Sequence, residues 1–262
     1  MVFSWLKSKK KQVLTPEDTI IYAIGDIHGR DDLLAELISI INQDLIENRR
    51  GKKTMMVFLG DYVDRGLGSK MVIDILLILA NEANRAGAWH NTIFLKGNHE
   101  EALLHFLDEP DFGKKWLAHG GTETLISYGV GVPTDKKDLK GWQETANALE
   151  TALGPTHLSF FNNLKPYAEI GDYAFVHAGL RPGKAIEQQS AQDLLWIRGD
   201  FLDSAARFDK KIVHGHTPKK KTFMDHRRIG IDTGAYITGV LTAVRLEDDA
   251  VSFLQTGADQ PG

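Results

Sequence analysis

Apolar residues run through the first hundred positions in two alternating rhythms. Thr19 to Ile24 (TIIYAI) is a nearly continuous β-rich run, the pattern of a strand buried on both faces. From Asp31 to Asn48 the apolar residues fall at helical spacing, at Leu33, Leu34, Leu37, Ile38, Ile41 and Leu45. Met55 to Leu59 predicts a second strand, and Ser69 to Ala86 a second helix with Ser69 as its N-cap. Thr92 to Leu95 predicts a third strand, followed by a helix from about His99 to Leu107. This βαβαβα order predicts a parallel sheet with crossover helices.

The rhythm breaks between about Asp108 and Gly171. Proline and glycine are scattered through that stretch, and Trp116 and Trp142 sit among short helical pieces, which predicts an insertion capping the sheet. Strands then resume at Tyr173 to Val176, Lys211 to Val213, Lys221 to Met224, Ile229 to Asp232 and Val240 to Leu246. Short gaps between the last of these predict an antiparallel meander and a second sheet packed on the first.

Composition then narrows the chemistry. The chain's 262 residues fit one α/β domain, and a net charge of −4 offers no basic field for a nucleic-acid backbone. It contains no cysteine, which excludes disulfides, thiolate nucleophiles and Cys-based zinc sites. Any metal must therefore be held by nitrogen and oxygen. A disulfide-free enzyme fits a cytoplasmic location. No apolar run reaches the roughly 18 residues that a spanning helix needs. The segment 1–15 reads as a basic, solvated tail. Its Phe3, Trp5 and Leu6 beside Lys7, Lys9, Lys10 and Lys11 leave weak contact with an anionic membrane surface as the lesser alternative.

The ends of the strands are the informative positions. TIIYAI leads into Gly25-Asp26-Ile27-His28-Gly29, MMVFL into Gly60-Asp61-Tyr62-Val63-Asp64-Arg65-Gly66, and TIFL into Gly97-Asn98-His99-Glu100. Later, YAFV leads into His177-Ala178-Gly179 and KKIV into His214-Gly215-His216-Thr217. Taken singly, each cluster has an ordinary explanation: an Asx-turn, a helix cap, a satisfied core histidine. Taken together they do not, because ligands bind at the carboxyl ends of strands in open α/β sheets, and glycine permits close backbone approach there. Asp, Asn and His donors suit Mn, Fe or Zn. So many donors exceed one closed tetrahedral site and suit two adjacent cations, roughly 3.5–4 Å apart, acting on a phosphoryl displacement.

The motifs GDIHG, GDYVDRG, GNHE, HAG and GHT, in this order, resemble those of the phosphoprotein phosphatases, metal-dependent serine/threonine phosphatases of the calcineurin-like metallophosphoesterase superfamily. Trp196 to Arg198 (WIR) and the compact length resemble the bacterial and phage members. The resemblance implies a β-sandwich of two mixed sheets flanked by helices, with a helical cap at about 108–171 inside a single domain over 16–262. It implies Asp26 and His28 on a first metal, Asp61 bridging, and Asn98, His177 and His216 completing a second, with manganese favoured and iron or zinc as alternatives. His214 competes with His216 for that place, since residues two apart on a strand share a face. The resemblance further implies a hydroxide bridging the metals as nucleophile, His99 as general acid oriented by Asp64, and Arg65 and Arg198 gripping the phosphate. Arg181 is a weaker phosphate candidate. Glu100 is read as structural, favouring the positive end of its helix.

The implied activity is hydrolysis of phosphomonoesters, first of all phosphoserine or phosphothreonine in a phosphoprotein or phosphopeptide partner, without nucleic acid. The alternative is a symmetric diadenosine tetraphosphate hydrolase or another small-molecule phosphohydrolase. A third reading, an inactive metal-binding scaffold, is disfavoured because every expected ligand and both acid–base residues are present.

Overall fold

The computed structural model describes residues 12–83, 91–133, 135 and 138–257. The tail read over 1–15 lies outside them up to residue 11, as do the last three positions of the expected second helix. The first part supplies β1 (Thr19–Ile24), α1 (Asp31–Asn48), β2 (Lys53–Phe58), α2 (Ser69–Ala83), β3 (Asn91–Phe94) and α3 (Asn98–Asp108). A helical stretch follows, with α4 (Gly113–Trp116), α5 (Thr122–Ser127) and α6 (Leu139–Asn162). Then come β4 (Tyr167–Ile170), β5 (Tyr173–Val176), α7 (Ala191–Trp196), α8 (Gly199–Leu202), β6 (Lys211–His214), β7 (Phe223–Met224), β8 (Arg228–Gly230), α9 (Ala235–Thr238), β9 (Thr242–Glu247) and β10 (Ala250–Gln255).

The strands form two mixed sheets, ordered β10-β9-β1-β2-β3 and β4-β5-β6-β8-β7. Alternation along each strand sorts its side chains into layers. Ile20, Tyr22 and Ile24 of β1 face α1 and α2, while Ile21 and Ala23 face the second sheet. Phe175 and Val213 answer them across the sandwich, and Ala174, Val176 and Ile212 face out toward α7 and α8. The result is four layers, helices–sheet–sheet–helices. Each fully buried Ile, Leu or Phe is worth about 1.5–3 kcal/mol to that packing.

Register aligns the strand ends. β1 and β2 are parallel with Ile24 opposite Phe58, and Phe58 lies opposite Phe94 of parallel β3. β5, β6 and β8 are also parallel, with Phe175 opposite Val213 and His214 opposite Gly230. The segments beyond Ile24, Phe58, Phe94, Val176 and His214 therefore leave the sandwich at one edge.

The meander expected after residue 221 is only partly formed. β7 and β8 are antiparallel, but β9 crosses back to lie beside β1 in the first sheet, with β10 at its edge. The alternating Ala250–Gln255 strand has no counterpart in the sequence reading. Neither has β4, which falls within the stretch read as cap and belongs to the second sheet. α6 also exceeds the short pieces expected. It buries Trp142, Ala146, Leu149 and Leu153 along one stripe and breaks where Gly154 adopts φ 62° just before Pro155, the breaker pair that disguised it in sequence.

Candidate metal centre and active site

Parallel register brings the five strand-end segments together, and close contacts lock them. A Cβ on Gly97 would lie 2.2 Å from Asp61 Oδ1, and one on Gly215 would lie 2.0 Å from Asp26 Oδ1. Only glycine leaves room there for the carboxylates. His28, Asp61, Asp64, Arg65 and His216 all adopt positive φ, between 50° and 72°. Such non-glycine geometry costs about 1–3 kcal/mol per residue and persists where surrounding contacts enforce it.

Glu100 is one of those contacts. Its fully buried carboxylate accepts the backbone N–H groups of Asp61 (2.8 Å), Tyr62 (2.7 Å), Gly97 (2.8 Å) and Val63 (3.3 Å). Burial, with the Asp61 charge nearby, pushes its pKa up to about 7. Its structural role is thus to tie the loop after β2 to the start of α3, more than to favour a helix end.

Two trios of buried side chains bring ligating atoms within 4.8 Å of one another among the described residues: His28, Asp61 and His99, and Asp61, His177 and His216. Asp61 is common to both. The imidazoles are oriented from behind. His28 Nδ1 donates to Val63 O and His177 Nδ1 to Leu59 O, both at 2.9 Å, which turns each Nε2 toward the centre. Asn98 Oδ1 lies 2.9 Å from His177 Nε2 and 2.8 Å from His216 Nδ1. His216 Nε2 is buried with no hydrogen-bond partner among the described residues. A shared carboxylate, a carboxamide oxygen, back-anchored imidazoles and an orphaned ring nitrogen form a donor set that fits divalent cations.

Asp26 stands outside both trios. Its carboxylate accepts the backbone N–H of His216 (3.0 Å and 3.2 Å), joining β1 to the loop after β6. Burial and the like charges of Asp232 and Asp61 push its pKa up. Burial opposes ionisation of Asp61 too, but His177, His99 and His28 hold its pKa well below the usual carboxylate range. Burial likewise drives His28 down to about 3 and His216 to about 2, keeping both rings neutral as ligation requires. His177 goes the other way. Burial lowers its pKa, but Asp61, Asp26 and Glu100 outweigh it and raise it to about 10.

His214 points elsewhere. Its Nε2 accepts from Arg228 (3.0 Å), its ring meets Phe201 edge-on, and burial beside that guanidinium lowers its pKa to about 3. Of the two histidines, His216 is the one at the centre.

His99 Nδ1 donates to Asp64 Oδ2 at 2.7 Å. Asp64 is fully buried and also accepts from Trp116 Nε1 (2.9 Å) and Thr124 Oγ1 (2.6 Å). Burial lowers the His99 pKa, but Asp61 and Asp64 together raise it above the ordinary value. Ser69, expected as an N-cap, accepts the Asp64 N–H instead and donates to Gly66 O. Arg65 donates to His28 Nε2 and His99 Nε2, both at 3.0 Å, with its guanidinium 4.6 Å from the Tyr236 ring centroid. Arg198 is exposed at the same opening. Arg181 is not: it pairs with Asp193 (2.7 Å) and Asp200 (2.8 Å).

Sequence reasoning gave no role to Thr124, Tyr236 or Asp232. Thr124 carries no motif of its own. The Asp232-Thr233-Gly234 run at the end of β8 repeats the strand-end pattern and could have drawn attention to both its neighbours. Asp232 is buried, its pKa raised by that burial to about 6, and its carboxylate accepts the Gly234 N–H.

The centre opens into a groove of about 800 Å³. Asp61, Arg65, Asn98, His99, Arg198 and His216 line its inner end. Trp196 forms part of the wall, fixed by a 2.7 Å hydrogen bond from its Nε1 to Glu101.

The calcineurin-like phosphoesterase family model matches residues 20–251. An asymmetrical bis(5'-nucleosyl)-tetraphosphatase PrpE of Anoxybacillus flavithermus is 28% identical over 255 residues, covering 89% of this chain and 93% of its own. Shewanella-like protein phosphatase 2 of Arabidopsis thaliana is 28% identical over 183 residues, covering 61% of this chain and 46% of its own. Among solved structures, a candidate diadenosine tetraphosphatase superposes with a TM-score of 0.59 at 17% identity, covering 94% of this chain and 97% of its own. A cold-active protein-tyrosine phosphatase of Shewanella gives 0.58 at 18% identity, covering 96% and 86%. At these identities the superpositions establish the shared fold.

Proposed function

The chain belongs to the calcineurin-like phosphoesterases, and from that premise we propose that it hydrolyses a dinucleoside polyphosphate asymmetrically. The observation that carries this reading is the near-full-length match to the nucleosyl-tetraphosphatase of Anoxybacillus flavithermus. It replaces the phosphoprotein reading as the first choice, and the relative's name replaces a symmetric cut by an asymmetric one. Phosphoprotein hydrolysis remains the second reading, favoured by the equally identical but shorter match to the plant protein phosphatase.

In this proposal Asp26, His28 and Asp61 hold one cation, and Asp61, Asn98, His177 and His216 the other, with manganese first among the metals. When bound, divalent cations supply positive charge for the phosphate oxygens and for ionising water. The remaining work belongs to the chain. Arg65 swings from His28 and His99 onto the phosphate, where its planar fork and that of Arg198 match the oxygens. A water oxygen adds to phosphorus, its proton passing to solvent, as the bridging P–O bond breaks, and the electron pair leaves with the departing phosphate. His99, held by Asp64, takes up a proton from solvent at Nε2 once Arg65 leaves it, and gives that proton to the leaving oxygen. The location follows the sequence reading as cytoplasmic; no described helix is long and apolar enough to cross a membrane.

The test is turnover by the metal-stripped protein resupplied with manganese, on diadenosine tetraphosphate and a phosphoserine peptide side by side. Unequal nucleotide products, a monophosphate and a triphosphate, are expected. Two equal diphosphates would contradict the asymmetric cut, and faster peptide hydrolysis would restore the phosphoprotein reading.

A further inference from the structure

The active-site groove extends well past the residues that handle phosphate. Asn98, Glu101, Ala102, His105 and Asp108 all line it. Their spacing places them on one face of α3, which forms the groove's long wall. At about 1.5 Å per residue, His105 lies roughly 9 Å along the axis from His99. At that outer end the ring of His105 stacks on Phe112, centroids 4.2 Å apart and planes 23° from parallel. Lys115 Nζ lies 5.6 Å from the Phe112 centroid.

The platform has a rigid foundation. A Cβ on Gly113 would lie 2.4 Å from Trp142 and 2.7 Å from Phe106, so the turn carrying Phe112 sits directly on those rings. Phe106 stacks on Trp116 at 4.9 Å, and Trp116 bonds to Asp64. Phe112 is therefore held by a packed aromatic column while remaining only partly buried, and the His105 side chain is 44% exposed. Arg65, Arg198 and Lys96 line the inner part of the groove. At the outer end Lys115 stands with Asp108, and Glu109 pairs with His105 Nε2 at 3.3 Å, which fixes the ring edge-on and leaves its face for stacking.

Resting on the dinucleotide reading above, we propose that the His105–Phe112 stack is the platform for the nucleobase of the substrate's longer arm, with Lys115 on its phosphate chain. A purine continuing the stack on the exposed face of His105 gains aromatic contact. An intervening polyphosphate spans the distance to His99 and spreads negative charge along the groove. A phosphoserine peptide offers no base at that distance from the phosphate, so the stack favours the dinucleotide.

The experiment compares KM for diadenosine tetraphosphate with KM for p-nitrophenyl phosphate, with a phosphoserine peptide run alongside, using the manganese-loaded full chain. Phe112→Ala and His105→Ala are each expected to raise the ratio of the two KM values roughly 5- to 100-fold, the range for losing one base–aromatic stack. Phe112→Trp is expected to bring the ratio back toward the parent value. His105 is exposed, so its variant keeps the test decisive even where Phe112→Ala fails to fold. An unchanged ratio in a parent protein that cleaves the dinucleotide overturns the platform and leaves the proposed activity standing. A parent protein that cleaves only phosphopeptide removes both. A rise in KM confined to the phosphopeptide would assign the stack to a peptide side chain and overturn the proposal as well.

Discussion

At the scale of single residues, Asp61 and His99 carry separable roles. Asp61 belongs to both ligand trios, so Asp61→Asn is expected to weaken cation binding at both places. Metal analysis of the purified variant checks this, and two tightly retained cations would refute the bridge. His99 does different work through its hydrogen bond to Asp64. His99→Asn is expected to keep the metals while slowing phosphoserine hydrolysis about 10²–10⁴-fold, the usual worth of a general acid. An aryl phosphate, whose leaving group needs little protonation, should lose much less. Equal losses on both substrates would remove the acid role. The ligand types were legible in sequence as strand-end donors beside glycine, and the His99–Asp64 pair only through the resemblance that those motifs carry. That Trp116 and Thr124 also bond to Asp64 was not, since they lie more than fifty residues away and meet it only through the cap.

At the scale of elements, the turn between β3 and α3 governs the loop after β2. Both Glu100 oxygens are occupied, Oε1 by Tyr62 and Val63 and Oε2 by Asp61 and Gly97. Glu100→Gln must turn an NH₂ group toward N–H donors, so at least one buried donor loses its acceptor, at a cost of about 1–3 kcal/mol. Urea denaturation is expected to register that loss, together with weaker metal binding, because Asp61 sits in the loosened loop. Unaltered stability would mean that the loop holds its positive-φ geometry without Glu100. The helix α3 was legible in sequence from its spacing. That one of its faces would become a groove wall depended on where α4, α7 and the Phe112 turn were packed.

At the scale of the whole molecule, the site exists only where the edges of two sheets meet. Asp61 and Asn98 come from the first sheet's loops, and His177 and His216 from the second's. Cations bridging them should therefore tie the sandwich together. Manganese at about 100 times its dissociation constant is expected to add about 2.7 kcal/mol to unfolding stability and to raise Tm, and a chelator to reverse the shift. Differential scanning calorimetry at several metal concentrations checks this. A Tm indifferent to metal would argue that the cations bind no more tightly to the folded chain than to the unfolded one.

The sequence alone determined the parallel opening of the fold, the donor types at its strand ends and the exclusion of thiolate chemistry, because apolar period, glycine spacing and composition are local properties. Tertiary structure decided the rest. β9 joins the first sheet because its partner is β1, more than two hundred residues away. His216 faces the centre because His214 packs against Phe201 and Arg228. Asp26 accepts the His216 backbone N–H, and the outer groove gains its aromatic stack, through contacts between distant segments. No local period encodes such contacts: they arise only once both sheets and the cap are packed.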